Sequence, residues 1–181
     1  MRLIIAALVF AFVAASLHAE DLVITAGDGT AYTFKVPATV TAQMNKPPAG
    51  IPPTIKADAV KGKMSLQVTF MPKGGKVPKT QAEVNALVKQ FGAAQYEGGS
   101  VEKATVVAPL KVVGGMGAIA QYTDIDLVNI AEPGPDKYKV VGEGVIVLGA
   151  NLAVFTLLGD SFTAAEYLQG RALLEGGFVA K

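Results

Sequence analysis

Near its C-terminal end the chain contains the run Leu152-Ala153-Val154-Phe155-Thr156-Leu157-Leu158. Successive side chains of a strand point to opposite faces of the sheet. Both alternating sets are largely apolar here, which is typical of a strand that is buried on both faces. The run therefore predicts a central, covered strand, preceded by a turn at Gly149-Ala150-Asn151.

Other segments alternate between apolar and polar residues, most clearly Met64–Phe70. Asp28-Gly29 and Lys61-Gly62-Lys63 are typical hairpin turns. Proline-rich Pro37–Pro53 predicts a long surface loop. The predicted strands are Leu22–Ala26, Ala31–Val36, Ile55–Val60, Met64–Phe70, Val101–Val113, Met116–Asn129, Lys139–Leu148 and Leu152–Leu158.

Two helices are predicted from their start signals. Thr80-Gln81-Ala82-Glu83 is a capping box, and the apolar residues Val84, Leu87, Val88 and Phe91 follow at helical spacing, with Gly92 as the stop. Thr163-Ala164-Ala165-Glu166 is a similar box before a second helix, which Gly170 weakens. Hairpin-linked strands with two helices predict an α+β fold, an antiparallel β-sheet with helices packed on it.

The first nineteen residues, Met1–Ala19, have the composition of a secretory signal. Arg2 precedes an apolar run, Leu3–Val13, and small residues lead to Ala19. A membrane span needs about 20 apolar residues, so this shorter run indicates a cleaved signal rather than an anchor. We expect export to the periplasm or the extracellular space, and a single α+β domain from Glu20 to Lys181 without a transmembrane segment.

Removing this segment also removes the only histidine, His18, and the sequence has no cysteine or tryptophan. The exported chain then lacks the commonest general base, the thiolate nucleophile and the softer metal ligands. We therefore expect no cofactor and no zinc or copper.

Charge is balanced overall but uneven along the chain. There are 16 basic and 15 acidic residues, whereas binding to nucleic acid needs a clear basic excess. Between residues 30 and 80, eight lysines accompany a single acid, Asp58. They are either solvated edges and loops, or a patch for an acidic envelope protein or an anionic surface. Lys73, Lys76 and Lys79 are the candidate partner-binding residues.

Two motifs resemble sites of known chemistry without the context that such sites need. Gly115-Met116-Gly117-Ala118-Ile119-Ala120 matches a dinucleotide-binding pattern, but a strand rather than a helix is predicted after it. We interpret its glycines as a hairpin turn. Gly159-Asp160-Ser161 is similar to a serine-hydrolase motif, but no histidine is present to activate Ser161. It is interpreted as a loop that leads into the second helix.

Three carboxylates are candidates for binding or catalysis. On a strand, Asp124 and Asp126 would face the same way and could bind a hard cation such as calcium. The alternative is a solvated strand face, because no loop supplies the remaining ligands. Glu143 lies between Gly142 and Gly144. Such glycines either let a ligand approach or mark a β-bulge, which is the interpretation we favour.

Three segments occur in the order Ala31–Pro37, then Met64–Phe70 before a helix, then Gly149–Phe155 before a C-terminal helix. In this arrangement the chain resembles the PsbP-like family, which includes extrinsic subunits of photosystem II and shares its fold with nuclear proteins that bind the Ran GTPase. Secreted bacterial proteins of similar length are similar too. The resemblance implies an α/β/α sandwich that acts as a binding module, and it implies no catalytic residues.

The expected function is a non-enzymatic binding or accessory module. The alternative is a hydrolase or lyase that uses carboxylate, tyrosine or lysine side chains. An enzyme should have a deep cleft where ionisable groups of perturbed pKa converge. A binding module should instead present a shallow face.

Overall fold

The computed structural model describes residues 21–45, 51–72, 74 and 76–181, so the predicted signal Met1–Ala19 lies outside the described residues. The strands are β1 (Leu22–Thr25), β2 (Ala31–Phe34), β3 (Val40–Met44), β4 (Thr54–Ala59), β5 (Met64–Phe70), β6 (Val107–Leu110), β7 (Gly115–Thr123), β8 (Val140–Leu148), β9 (Asn151–Gly159) and β10 (Phe178–Ala180). The helices are α1 (Gln81–Gln95), a short 3₁₀ turn (Glu97–Gly99) and α2 (Ala165–Gly176). None of the described helices is long and apolar enough to cross a membrane.

The strands form two antiparallel sheets, which confirms the α+β class. The large sheet has seven strands in the order β3-β4-β5-β9-β8-β7-β6, and the small sheet has the order β1-β2-β10. β9 is the middle strand of the large sheet, as predicted. Ala153, Phe155 and Leu157 on one of its faces are buried, while Leu152 and Val154 on the other are half-buried. β9 is therefore fully buried on one face only.

The main core lies between the large sheet and a layer formed by the small sheet and α2. Phe178 links the layers, with its ring centroid 4.9 Å from Phe34 and 5.5 Å from Phe70. Gly170 of α2 faces the large sheet, where a Cβ would lie 2.4 Å from the Leu157 Cδ1 atom. This glycine lowers helix propensity, but its absent side chain lets α2 approach the sheet closely.

α1 covers the other face of the large sheet over β6, β7 and β8. The capping box is present, since the Thr80 hydroxyl accepts the Glu83 N–H and the Glu83 carboxylate accepts the Thr80 N–H. The prediction that the helix stops at Gly92 is wrong. Gly92 is buried inside the helix, and a Cβ there would lie 2.0 Å from the Tyr122 hydroxyl. Phe91, the last apolar residue at helical spacing, is 42% exposed.

The predicted Pro37–Pro53 loop is wrong in part, because it contains β3. Val40 is buried and Ala42 and Met44 are half-buried, whereas Thr41 and Gln43 point outward. This alternation pairs β3 with β4 at the edge of the large sheet. Edge strands tolerate nearby prolines better than central ones, so the proline count was a poor guide here.

The predicted strand Val101–Val113 is much shorter in the structure, only Val107–Leu110. Lys103 has a positive φ of 52°, and the Thr105 N–H donates to the Glu97 carboxylate at 2.8 Å. These features fold the segment before β6 into a local turn instead of a strand.

The C-terminal elements differ from expectation at both ends of α2. Its N-cap is Ala164, with no side-chain hydrogen bond, so the second capping box is not formed. After α2 the chain adds β10, which was not predicted and pairs with β2. A three-residue strand gives too short a pattern to be found by alternation.

Candidate functional site

One half of the α1 side of the large sheet is open. α1 packs on β6, β7 and β8, and in the described part of the chain neither helix covers this face of β3, β4 and β5. We call this uncovered face, together with the adjoining face of β9, the open half. On β3, β4 and β5 this face carries polar side chains, whereas Leu152, Val154 and Leu158 of β9 are apolar and half-buried.

A row of directly paired residues crosses the open half from strand to strand. Paired residues of antiparallel strands point to the same face. The members, called the polar row, are Gln43 of β3, Lys56 of β4, Gln67 of β5, Thr156 of β9 and Glu143 of β8. The first three are exposed and the last two are half-buried. The row therefore becomes more sheltered as it approaches α1.

Glu143 lies on a regular strand, and the predicted bulge is wrong. The pairing of β8 is continuous with both β7 and β9. Gly142 and Gly144 face the main core instead, where a Cβ would lie 2.3 Å from the Tyr167 hydroxyl or 2.0 Å from the Ala118 carbonyl oxygen, respectively. The glycines thus make room for the core, and Glu143 points to the α1 side.

The Glu143 carboxyl group is incompletely satisfied. Its Oε2 atom is shielded from solvent and has no hydrogen-bond partner among the described residues. Burial raises the pKa of Glu143, because the charged form loses its hydration. Burial, and then the charge of Glu143, raises the pKa of Tyr96. Glu143 pairs with Ala120 of β7, so Tyr122, two residues further along, is its diagonal neighbour on the same face. The Tyr122 ring stacks on that of Tyr96 at the end of α1, with ring centroids 5.2 Å apart.

The tyrosine hydroxyls around this region have other partners. The Tyr122 hydroxyl donates to Thr105 at 2.9 Å, and the Tyr96 hydroxyl accepts from Gln95 at 3.2 Å. Tyr167 lies on the opposite face and accepts from Gln121 at 3.1 Å, and burial raises its pKa to about 12. Glu143 and a tyrosine therefore do not form a hydrogen-bonded acid–base pair among the described residues.

Most other carboxylates with shifted pKa values stabilise local structure. The ammonium group of Lys35 lies 2.6 Å from Asp21 and lowers the pKa of that carboxyl group. The Thr30 N–H donates to Asp28 at 2.8 Å and lowers its pKa. Glu83 belongs to the α1 cap. These groups lie in separate turns and caps, so they do not converge on one site.

Asp124 and Asp126 are not placed side by side on a strand, because β7 ends at Thr123. Asp124 Oδ1 accepts the backbone N–H groups of Asp126 at 2.8 Å and Leu127 at 3.2 Å. Such a turn ends a strand by offering the backbone a side-chain acceptor. Among the described residues there is no group of three or more acidic, histidine or cysteine side chains that could hold a metal ion.

Lys76 and Lys79 lie between β5 and α1, while Lys73 is outside the described residues. Both line an open depression of about 570 Å³ together with Met116 and Val147. Lys61 and Lys63 precede β5, at its opposite end. A seven-residue strand spans roughly 23 Å, so these lysines form two separate groups instead of one surface.

The two motifs interpreted as loops have different outcomes. Gly115 and Gly117 belong to β7, so only the neighbouring Gly114, with a φ of 71°, occupies the turn. A Cβ at Gly115 would lie 2.2 Å from the Val147 carbonyl oxygen. Ser161 lies in the loop before α2, as predicted, and its hydroxyl lies 3.0 Å from that of Thr163.

The polar row was not recognised from the sequence. Glu143 was a candidate on its own, and Thr156 is the single polar residue inside the apolar run of β9. Gln67 also lies at a polar position of a predicted strand. Their alignment with Glu143 depends on the register between β5, β9 and β8, which alternation within one strand does not report.

No protein-family model, curated protein or solved structure matches the chain. The functional interpretation therefore depends on the residues themselves, and the resemblance to the PsbP-like family remains an expectation.

Proposed function

We propose that this protein is an exported, non-enzymatic binding or accessory module. Its partner surface comprises the open half of the large sheet and the lysines before α1. The observation that supports this most is the polar row, which presents exposed hydrogen-bonding side chains on a regular sheet face. A partner that covers this face requires no rearrangement of a strand or helix.

The PsbP-like resemblance is part of the same proposal. The large sheet has α1 on one face and α2 with the small sheet on the other. This layering is compatible with the α/β/α sandwich of that family. The family resemblance favours binding, although fold alone is a weak guide to function.

The enzymatic alternative is supported by one group. Glu143 has the raised pKa expected of a general acid, but a hydrolase or lyase without histidine needs further groups to converge on it. The nearby hydroxyls of Tyr96 and Tyr122 have other partners. Gln43, Lys56 and Gln67 of the open half are exposed to water, whereas electrostatic catalysis is strongest in sites that exclude water.

The lysines before α1 give the most direct test of the module. Crosslinking the exported protein in its native envelope, followed by mass spectrometry, identifies the partner. N-terminal sequencing of the same material should give a sequence that begins at or near Glu20. The variant Lys73→Gln/Lys76→Gln/Lys79→Gln should then bind that partner more slowly at low salt. Exposed charges steer association, and salt screens this effect over about 8 Å at physiological strength.

The matched control removes three exposed lysines elsewhere, in Lys89→Gln/Lys137→Gln/Lys181→Gln. Both triple variants should keep their stability within about 0.5 kcal/mol of the unmodified protein. Equal association of both variants, without salt dependence, would show that Lys73, Lys76 and Lys79 only support solubility. Failure to crosslink any specific partner, or retention of Met1, would contradict the exported module.

A further inference from the structure

Glu143 lies where the open half meets α1. On one side its paired neighbour is Thr156 of β9, and on the other it is Ala120 of β7, which is buried beneath α1. Glu143 itself is half-buried. The carboxyl group is therefore at the sheltered end of the polar row, next to an edge that a partner on the open half would contact.

The described part of the chain supplies no cation for this carboxyl group. None of its ion pairs includes Glu143. Lys56 is the basic member of the polar row, but at about 4.8 Å per strand it is roughly 14 Å away. Its ammonium group lies 3.3 Å from Asp58. The shielded Oε2 atom thus lacks a hydrogen-bond donor, although a carboxylate accepts several hydrogen bonds.

The surroundings favour an organic cation over a metal ion. A calcium-like ion needs about six oxygen ligands, and Glu143 has no second carboxylate in a described cluster. The half-buried ring of Tyr96, stacked on the buried ring of Tyr122, offers a π face, and such faces attract ammonium and guanidinium groups. A guanidinium group can also donate two parallel hydrogen bonds to one carboxylate.

We propose that Glu143 is a recognition carboxylate that receives a lysine or arginine side chain from a protein partner on the open half. This inference rests on the proposed function, and it specifies the partner's chemistry. The partner presents a basic side chain to Glu143, while acidic groups of the same partner meet Lys76 and Lys79. Charges of both signs at fixed positions give orientation and specificity.

The site can be tested without knowing the partner. The probe is a blocked five-residue peptide with one central arginine, and the control peptide carries the uncharged isostere citrulline. Binding is followed through the backbone amide signals of the isotopically labelled protein. The arginine peptide should cause saturable shifts around Ala120, Glu143 and Thr156 and should bind at least tenfold more tightly than the citrulline peptide.

Two substitutions distinguish this site from general attraction to acidic residues. Glu143→Gln should weaken arginine-peptide binding at least tenfold, whereas Glu132→Gln, at an exposed acid in the loop before β8, should leave it unchanged. Equal binding of both peptides, or full binding to Glu143→Gln, would overturn the inference. Should Glu143→Gln fail to fold, Glu143→Asp provides the test, because unchanged affinity with the shorter side chain would also overturn it.

The outcomes separate this inference from the proposed function. If a crosslinked partner binds the Glu143→Gln variant with unaltered affinity, the protein is still a binding module, but Glu143 does not take part in recognising that partner. If no envelope partner is found but the arginine peptide still binds specifically, the proposed binding module is wrong, whereas Glu143 still forms a site for an organic cation.

Discussion

At single positions, glycines lie where two layers of the structure approach each other closely. A Cβ at Gly92, Gly142 or Gly144 would lie within 2.3 Å of a hydroxyl or carbonyl oxygen of a neighbouring element. Contacts this short would force the helix or the adjacent strand to move. The sequence Gly142-Glu143-Gly144 is therefore best understood as two packing sites on one face and one polar group on the other.

The raised pKa of Glu143 predicts a specific pH dependence of stability. When the folded-state pKa is higher than the unfolded one, the group's stabilising contribution is complete below the unfolded pKa and is lost as pH rises through the folded pKa. Glutamine is neutral throughout. Glu143→Gln should therefore stabilise the protein at about pH 8 by about 1 kcal/mol, the scale of one unsatisfied buried group, and this gain should disappear near pH 4.

Thermal melting between these two pH values provides the measurement. For a chain of this size, 1 kcal/mol corresponds to about 2–4 °C in Tm. Glu132→Gln is the matched control and should show no comparable gain. A lower Tm for Glu143→Gln at pH 8 would contradict this prediction. It would mean that the ionised carboxylate stabilises the folded state through a hydrogen-bond donor or a cation within the chain.

At the level of single elements, locally specified features were predicted correctly. Both N-terminal hairpins have their turns at the expected glycines, and α1 begins at its capping box. Such signals depend on residues a few positions apart. The end of β7 at Asp124 was missed, because a side-chain bond to the following backbone interrupts a segment whose composition still favours a strand.

The two capping boxes provide a matched pair of substitutions. Thr80→Ala removes a side-chain acceptor that α1 uses, so it should reduce stability by about 1 kcal/mol. Thr163→Ala changes the same residue type at a box that does not cap α2, and its effect should stay within about 0.5 kcal/mol. Chemical denaturation of both variants measures the difference. Equal losses of stability in the two variants would show that the Thr80 cap of α1 contributes no more to stability than Thr163 does.

Across the whole molecule, apolar patterning predicts which strand is central but not which strands are neighbours. The double apolar face of β9 predicts its place in the middle of the large sheet. The pairing of β5 with β9, and of β2 with β10, joins segments far apart in sequence. Those pairings depend on side-chain packing in the main core. The polar row is a product of the same register, so it could only be found in the folded chain.

The two sheets are also joined by a buried polar link, which leads to a prediction about the whole fold. The Tyr32 hydroxyl in β2 donates to the Leu148 carbonyl of the large sheet at 3.0 Å and accepts from the Asn151 side chain at 3.1 Å. Tyr32→Phe would leave both groups buried without this partner, which costs about 1–3 kcal/mol. Because the sheets share one core, the variant should melt in a single transition at lower temperature.

Calorimetry and near-ultraviolet circular dichroism can follow this transition, with Tyr138→Phe in the loop before β8 as the control. The Tyr32→Phe variant should lose several degrees of Tm, at about 2–4 °C per kcal/mol, while the control should lose little. Two separate transitions in Tyr32→Phe would show that the small sheet unfolds independently. An unchanged Tm would mean that the aromatic packing of Tyr32 on Phe70, with ring centroids 5.5 Å apart, holds the sheets together without the hydroxyl.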